Sequence, residues 1–192
     1  MFLLLAQALI TNCYTVDMLL LSQSFIGQSV MSLRTGGPIA TITTSIINPN
    51  NLKIEGFYCQ DRFKKKKQVI LLAQDIRDVI ARGIVVNDHE SLTSPEDLVR
   101  LEDIIATRFS LTGKPVITVS KNKLGKITDY AADSATFFIQ KLYVSQPVLK
   151  NITKGTLSID RTQIVEITNR KIVVQDLAAL DKIGSVVTAP AQ

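Results

Sequence analysis

The sequence predicts a mainly β protein in which one small domain occurs twice, with a short helix between the copies. The main evidence is a repeat: the sequence blocks of residues 25–86 return in residues 109–174 at a nearly constant offset. Gly27 precedes Gly113 by 86 residues, and the later landmarks lie 85 to 88 residues apart. A repeat of this length indicates a duplicated domain, because solenoid units recur every ~20–50 residues.

Short strands separated by turns account for each copy. With 192 residues that are 46% hydrophobic, the chain is long enough for two units of about 100 residues. Residues 39–44 and 54–59 alternate between two faces, as half-buried strands do, and their Val, Ile, Thr and Tyr side chains fit a pleated surface. Turn-forming residues lie beside these strands at 35–38 and 48–51, and more weakly in the second copy at 121–123. We expect two cores, one made of Ile26, Val30, Ile42, Ile54, Ile76 and Val85, the other of Val116, Ile127, Ile139, Leu142, Ile164 and Val173.

The order of short motifs in each copy carries a family resemblance. A Gly-x-x-Val strand is followed by a Gly-x-Ile strand, a turn, an apolar strand, a late Asp-Ile or Gln-Ile, and a final Val-Val strand. The residues that carry the first two motifs are Gly27, Val30 and Ala40-Thr41-Ile42 in the first copy, and Gly113, Val116 and Gly125-Lys126-Ile127 in the second. This order resembles the PRC-barrel family, the small β-barrel of the photosynthetic reaction centre H subunit and of the C-terminal domain of a ribosome maturation factor. The resemblance implies two tandem small PRC-type β-barrels joined by a short helix.

The chain divides accordingly into five segments. Residues 1–20 are an N-terminal extension, for which a mis-called start is one explanation. The first PRC-like barrel is expected over 21–88, and we name this segment the first repeat. A linker with a short helix follows at 89–106. The second barrel, our second repeat, is expected over 107–180, and residues 181–192 form a tail.

The linker shows the sequence signals of a helix start. Ser94 is expected to be the N-cap and Pro95 the first helical residue, with acidic residues in the first turn. The apolar residues that follow fall on one helical face: Leu98, Leu101, Ile104 and Ile105. The pattern therefore predicts an amphipathic helix that packs against a barrel and fixes the relative orientation of the two copies.

The apolar residues 1–10 resemble the core of a signal peptide, but no Lys or Arg precedes them and no clear cleavage site follows. The run is also too short for a membrane span, which needs about 20 apolar residues. We expect the protein to be cytoplasmic, with residues 1–17 dispensable, although this apolar segment leaves membrane association open.

Few residues are suited to catalysis, and we expect no enzyme activity and no cofactor. The only histidine, His89, lies in a polar stretch where a solvated side chain is the ordinary role. Asp129 and Asp133 could form a carboxylate pair on one strand face, but Asp133 falls at a turn, where aspartate accepts backbone hydrogen bonds. Cys59 lies in an apolar strand and is expected to be a small buried side chain, and with Cys13 it forms neither a disulfide framework nor a zinc site.

A cluster of lysines is the one unusual surface feature of the sequence. We name residues 62–67 the basic loop; it should connect two strands of the first repeat. Lysine side chains there could bind the phosphates of RNA, or less favourably an anionic membrane surface, but they could equally be a solubilising loop. The candidate contact residues are Arg62, Lys64, Lys65, Lys66 and Lys67, with Lys150 and Lys154 in the corresponding loop of the second repeat.

Two functional hypotheses follow from these observations. The first is a non-catalytic tandem PRC-barrel protein that acts as a protein-interaction or assembly adaptor for an unidentified protein partner. The second is a ribosome- or RNA-associated maturation factor that uses the basic loop at 64–67. Salt discriminates between them, since RNA binding weakens steeply with salt and an apolar protein contact hardly changes.

Overall fold

A computed structural model describes residues 18–64, 67–98, 101–145 and 156–176, and within them the protein is mainly β. Its strands, in chain order, are β1 Leu19–Leu21, β2 Ser29–Ser32, β3 Pro38–Asn48, β4 Lys53–Asp61, β5 Gln68–Leu72, β6 Ile76–Ile80, β7 Gly83–Val86, β8 Leu92–Thr93, β9 Pro115–Thr118, β10 Lys123–Asp133, β11 Ile139–Ser145, β12 Thr156–Asp160, β13 Ile164–Ile167 and β14 Ile172–Val174. One α-helix, α1, spans Glu102–Thr107 among the described residues.

The strands form two sheets with the same order. The first repeat has the order β6-β7-β2-β3-β4-β5-β8, and the second has β13-β14-β9-β10-β11-β12, with β1 paired to β10. In both sheets one pair is parallel, β2 with β7 and β9 with β14, and the other pairs are antiparallel. The repeat in the sequence is therefore a repeat of strand order in space.

The sheets stay open within the described residues, and no closed barrel is detected there. In the first repeat β8 pairs with the outer edge of β5, through Ile70 with Thr93 and Leu71 with Leu92. That edge would have to pair with β6 to close a barrel. Since β8 occupies it, the hydrogen-bonded path ends at β8 on one side and at β6 on the other.

The predicted core residues are mostly inside, with two kinds of error. Val30, Ile42, Ile54, Val116, Ile127, Ile139 and Leu142 are buried in the core, and Ile76 and Ile164 are half-buried against it. Ile26 is wrong: it lies in a turn and is 48% exposed, while its neighbour Phe25 is buried. Val85 is also misplaced by one residue: it is only half-buried, because Ile84 and Val86 face the core and adjacent strand residues face opposite sides. Val173 is buried as predicted, at 9% exposure, although its neighbours Ile172 and Val174 are the ones in the main cluster.

The two repeats share one core, which corrects the prediction of two separate ones. A single apolar cluster contains buried residues of both sheets. At its centre, the ring centroid of Phe25 lies 5.4 Å from that of Phe57 and 6.4 Å from that of Phe137. The Phe57 and Phe137 rings meet edge to face at 6.1 Å. Because Phe25 and Phe57 belong to the first repeat and Phe137 to the second, the aromatic cluster joins them.

Reciprocal backbone hydrogen bonds connect the two repeats. The amide of Ile54 donates to the carbonyl of Phe137, and the amide of Ile139 donates to the carbonyl of Leu52, each at 2.9 Å. Ile54 and Ile139 are counterparts in the repeat, as are Leu52 and Phe137, so the two bonds are related by a pseudo-two-fold axis. Both acceptor residues have left-handed backbone conformations, with φ of 51° at Leu52 and 60° at Phe137.

Side chains reinforce this junction. The buried Tyr130 hydroxyl donates to Oγ of Ser45 at 2.9 Å, which again joins two counterpart positions. Arg161 donates to the carbonyl of Asn51 at 2.6 Å, and its guanidinium lies 4.7 Å from the ring centroid of Phe138. The two hydrogen bonds fix one repeat against the other, and Phe138 packs against the guanidinium that makes one of them.

The segment before β2 crosses to the second repeat. Strand β1 pairs antiparallel with the end of β10, from Leu19 opposite Asp133 to Leu21 opposite Ala131. The next residue, Ser22, donates its amide to Oδ1 of the buried Asp129 at 3.2 Å, and its hydroxyl donates to the same oxygen.

The connector differs from its prediction. Ser94 precedes a single 3-10 turn at Pro95–Asp97 and makes no side-chain cap. Leu98 then leaves the helical region, with φ −103° and ψ 64°, so the helix predicted to start at Ser94 is wrong. The short α1 begins at Glu102 and contacts β3, with Ile104 and Ile105 half-buried.

We predict that Phe25→Ala lowers the free energy of unfolding by about 3–5 kcal/mol, because it removes a buried ring that contacts aromatic side chains of both repeats. Denaturant unfolding followed by circular dichroism measures this. Phe63→Ala is the matched control, since Phe63 is 69% exposed and its loss should matter by less than about 0.5 kcal/mol. Equal effects of the two substitutions would contradict the shared core.

Candidate functional site

The basic loop connects β4 to β5, and the structure describes its two ends. Arg62, Phe63 and Lys64 follow β4, Lys67 precedes β5, and all four are exposed. Lys65 and Lys66 lie outside the described residues, as do Lys150 and Lys154. The position of the second lysine pair relative to the basic loop therefore stays a prediction.

A buried carboxylate at the end of β4 organises the loop. Asp61 is only 2% exposed. Its Oδ1 accepts the amide hydrogens of Phe63 at 2.8 Å and of Lys64 at 3.2 Å. Its Oδ2 lies 3.0 Å from Nε2 of His89, which must donate when the carboxylate is ionised, because an ionised carboxylate only accepts. One side chain thus fixes the first turn of the loop and links it to the segment after β7.

The hydrogen bonds keep Asp61 ionised. Burial is the largest single influence on its pKa and by itself would raise it. The bonds from Phe63, Lys64 and His89, with the attraction of His89, together outweigh that influence, so the pKa of Asp61 lies below its ordinary value. At neutral pH a negative charge therefore lies beneath a loop rich in positive ones.

The backbone closes the loop on itself. The amide of Lys67 donates to the carbonyl of Lys64 at 2.8 Å, and the amide of Arg62 donates to the carbonyl of Ile39 in β3 at 3.0 Å. The amide of Asp61 reaches the carbonyl of Lys67 at 3.4 Å. The described lysines thus extend from a fixed backbone, and a ligand that binds a pre-arranged surface costs less conformational entropy.

The environment of His89 differs from the solvated side chain that the sequence favoured. Besides its bond to Asp61, its ring meets the exposed Phe63 edge to face, with the centroids 5.6 Å apart. Asp88 prepares this position, because its Oδ1 caps the following 3-10 turn by accepting the amide hydrogen of Glu90. Asp61 and His89 are 28 residues apart in the chain, and nothing local in the sequence signals their contact.

The pair formed by Asp61 and His89 has no counterpart in the sequence of the second repeat. At offsets of 85 and 86 residues, the positions corresponding to Asp61 hold Gln146 and Pro147, and the position corresponding to His89 holds Leu177. Neither carboxylate nor imidazole recurs. The Asp61–His89 support of the basic loop is therefore one of the features in which the two repeats differ.

The two aspartates of β10 take separate structural roles. Asp129 accepts hydrogen bonds from Ser22 and from the amide of Tyr130. Asp133 accepts from the amide of Thr136 at 2.7 Å and from its hydroxyl at 2.5 Å, which is the turn role predicted for it. Each carboxylate is thus committed to a different partner.

The chemistry that this geometry allows is anion binding. Arg62, Lys64 and Lys67 offer positive charge, and Phe63 offers an exposed aromatic edge beside them. The residues that the structure describes contain no group of three or more His, Cys, Asp or Glu side chains placed to hold a metal ion.

We predict that Asp61→Asn lowers the free energy of unfolding by about 1–3 kcal/mol at pH 7, because hydrogen bonds to a charged acceptor are lost. The pKa of Asp61 is lower in the folded state, so its contribution is complete above the ordinary aspartate pKa of about 3.9. This stabilising contribution declines as the pH falls through the pKa of Asp61 in the folded state. Urea unfolding from pH 7 to pH 2.5 should show the two proteins converging below about pH 4, and a constant gap would contradict this assignment.

Burial raises the pKa of Cys59 to about 12, despite a hydrogen bond with the Leu71 backbone, so the thiolate that reacts with disulfide reagents is scarce. We predict that Cys59 in a Cys13→Ser variant reacts with a chromogenic disulfide only as fast as the protein unfolds. Stopped-flow absorbance with increasing urea measures this dependence. Complete reaction within seconds in native buffer would show that the thiol is accessible.

Across the described ranges, the helices lack the length and apolar character that crossing a bilayer requires. A scan against models of protein families finds none that matches the chain. A search among curated proteins likewise returns no match.

Proposed function

We propose that the chain is a non-catalytic, tandem PRC-barrel-type adaptor that holds protein partners in a fixed spatial relation. The observation that carries the proposal is the reciprocal bonding of the two repeats, Ile54 to Phe137 and Ile139 to Leu52. Two independent domains on a flexible linker would not need such a junction. A rigid pair presents two related surfaces at one distance and one angle.

The family part of the proposal is supported by the repeated strand order. Each repeat places its Gly-x-x-Val strand between the neighbouring long strand and the final apolar strand, with a parallel pair on one side. The glycines that precede these strands have the same left-handed conformation, with φ of 81° at Gly27 and 85° at Gly113. A side chain there would be strained, which explains why both copies keep glycine.

The use of the buried carboxylates supports a structural rather than a catalytic role. Asp61, Asp129 and Asp133 are all buried, and each accepts backbone hydrogen bonds from its own neighbourhood. An acid or base that transfers protons needs a path to a substrate. We propose that these groups shape the fold and that the protein acts in the cytoplasm through its surfaces.

Affinity purification from the native cell, with the full chain as bait, tests the adaptor function. We expect a protein partner at a defined stoichiometry that stays bound at 0.5 M salt, a concentration at which the screening length is only about 4 Å. Arg161→Ala, which removes the bond to Asn51, is a bait with a loosened junction and should retain less partner. Enrichment of nucleic acid alone would contradict the proposal.

The second candidate, an RNA- or ribosome-associated factor, is favoured by one observation. Asp61 holds the described start of the basic loop through Phe63 and Lys64, and the Phe63 ring is exposed there. A fixed cationic surface with an aromatic side chain is a feature of single-strand binding sites. An anionic membrane surface is the less favoured ligand, since the described loop shows no larger apolar surface for insertion.

We predict that replacing residues 64–67 with four glutamines leaves the protein partner bound and changes the free energy of unfolding by less than about 0.5 kcal/mol. The matched control replaces the same residues with arginine, which keeps the charge. Fluorescence anisotropy with single-stranded RNA at several salt concentrations measures the alternative. Micromolar RNA binding at physiological salt, retained with arginine and lost with glutamine, would promote the RNA-associated function to first place.

A further inference from the structure

The two repeats differ at one sheet edge, the far end of β10 and of its counterpart β3. In the second repeat, the end of β10 pairs with β11 on one side and with β1 on the other. Leu20 of β1 packs against the core, whereas Leu19 and Leu21 point outwards and are 42% and 43% exposed. A three-residue apolar strand thus completes this edge.

The corresponding edge of the first repeat holds no strand among the described residues. The counterparts of Ala131, Ala132 and Asp133 are Ile46, Ile47 and Asn48, which pair with β4 on one side only. The segment at the position of β1, residues 105–107, belongs to α1 instead. The same part of the repeat is therefore a paired strand in one case and a helix in the other.

The side chains of Ile46 and Ile47 are each only 4% exposed, so the edge is covered, but two cavities lie beside the helix. A cavity of about 410 Å³ is lined by Thr44, Ser45, Ile46 and Ile47 of β3 and by Ile105 and Arg108 at the end of α1. A second cavity, of about 310 Å³, lies beyond the end of β3, between Pro49 and Asp103. A strand can therefore pair with this edge only when α1 moves aside, and the two cavities provide part of the space for that movement.

The contact between α1 and β3 is also weak. No hydrogen bond joins the two elements in the part of the chain that the structure describes. A six-residue helix is far below the ~12–15 residues at which isolated helices become stable. Its last turn ends at Arg108 with φ 45°, a left-handed conformation that is unfavourable for a residue other than glycine.

We propose that the β3 edge at Ile46–Asn48 is a docking site for an extended apolar segment of a partner protein, which pairs with β3 as β1 pairs with β10. The proposal rests on the adaptor function and names its mode of recognition. Addition of a strand to an open edge supplies backbone hydrogen bonds for affinity, and the alternating side chains supply selectivity. The internal precedent of β1 defines the length, direction and register of the occupant.

The local residues define the chemistry of that segment. Its middle residue should be aliphatic, because Leu20 is the residue of β1 that meets the core. The residue after the strand should be acidic, since Thr44 stands where Asp129 accepts from Ser22 in the second repeat, and the positive Arg108 lines the same cavity. At the other end, Pro49 replaces Ser134, whose amide donates to Met18 at 3.0 Å. Proline has no amide hydrogen, so pairing should stop at Asn48.

A synthetic peptide tests the proposal on the full chain. The probe is Met-Leu-Leu-Leu-Glu-Gln-Ser with a fluorophore at its C-terminus, and a second version carries an N-methyl group on the central leucine. We expect the methylated peptide to bind at least about tenfold more weakly, because backbone pairing is blocked while the side chains are unchanged. Arg108→Ala should weaken the glutamate peptide but not a version with serine at that position.

The helix can be tested separately. Ile104→Ser should raise the affinity of the peptide several-fold if α1 competes for the edge, and Val165→Ser is the matched control because Val165 is exposed on the second repeat. A photoreactive central leucine should label residues 44–48 or 104–110. Labelling confined to 131–134, where the peptide would displace β1, overturns the proposal.

Two further outcomes also overturn it. One is equal affinity for the plain and the methylated peptide. The other is a concentration-dependent dimer that the peptide dissociates, which would assign the edge to a second copy of this chain. If a partner is captured by affinity purification but the peptide does not bind at millimolar concentration, the docking site is wrong and the adaptor function stands. If the purification captures no protein partner but the peptide binds, the docking site stands and the adaptor function is wrong.

Discussion

The backbone junction between the repeats is the constraint on which the rest of the structure depends. Leu52 and Phe137 each have a left-handed backbone conformation. The carbonyl of Leu52 accepts the amide hydrogen of Ile139, and the carbonyl of Phe137 accepts that of Ile54. This exchange brings the turns after β3 and β10 together and buries Phe137 against Phe25. Small domains bury too little surface to be very stable alone. Joining two of them into one apolar cluster extends the core without lengthening any strand.

The local periodicity predicted the repeat, the strands and most inward positions, because alternation is a local property of the sequence. This prediction failed where a shift of one residue decides whether a side chain lies on the core face of its strand. Val85 lies in a run that is apolar at every position, so the pattern did not show which residues face the core. The joining of the sheets was also beyond prediction. An apolar turn residue such as Phe137 looks the same whether it covers its own sheet or enters another.

The candidate site shows the same limit. The lysines of the basic loop are visible as a run, but the group that fixes the described start of the loop is a single aspartate whose bond to His89 spans 28 residues of sequence. Asp61 follows an apolar strand and precedes a cationic loop, which is typical of an ordinary exposed turn. Only the pairing of β4 with β3 and β5 places that carboxylate at 2% exposure. Burial makes its hydrogen bonds strong enough to organise the loop, because a buried charge without partners is costly.

The two repeats have diverged where they meet the outside rather than where they meet each other. Counterpart residues make the junction, and the strand order is the same. The differences are concentrated in the first repeat: Pro49 in place of Ser134, a helix beside β3 in place of a strand, and the Asp61–His89 pair without an equivalent. Packing at a shared core limits change on both sides at once, whereas an edge or a loop is free to change alone. In the proposed function, the second repeat therefore serves mainly as the fixed half of the pair, and the β3 edge and the described ends of the basic loop are the surfaces of the first repeat that differ.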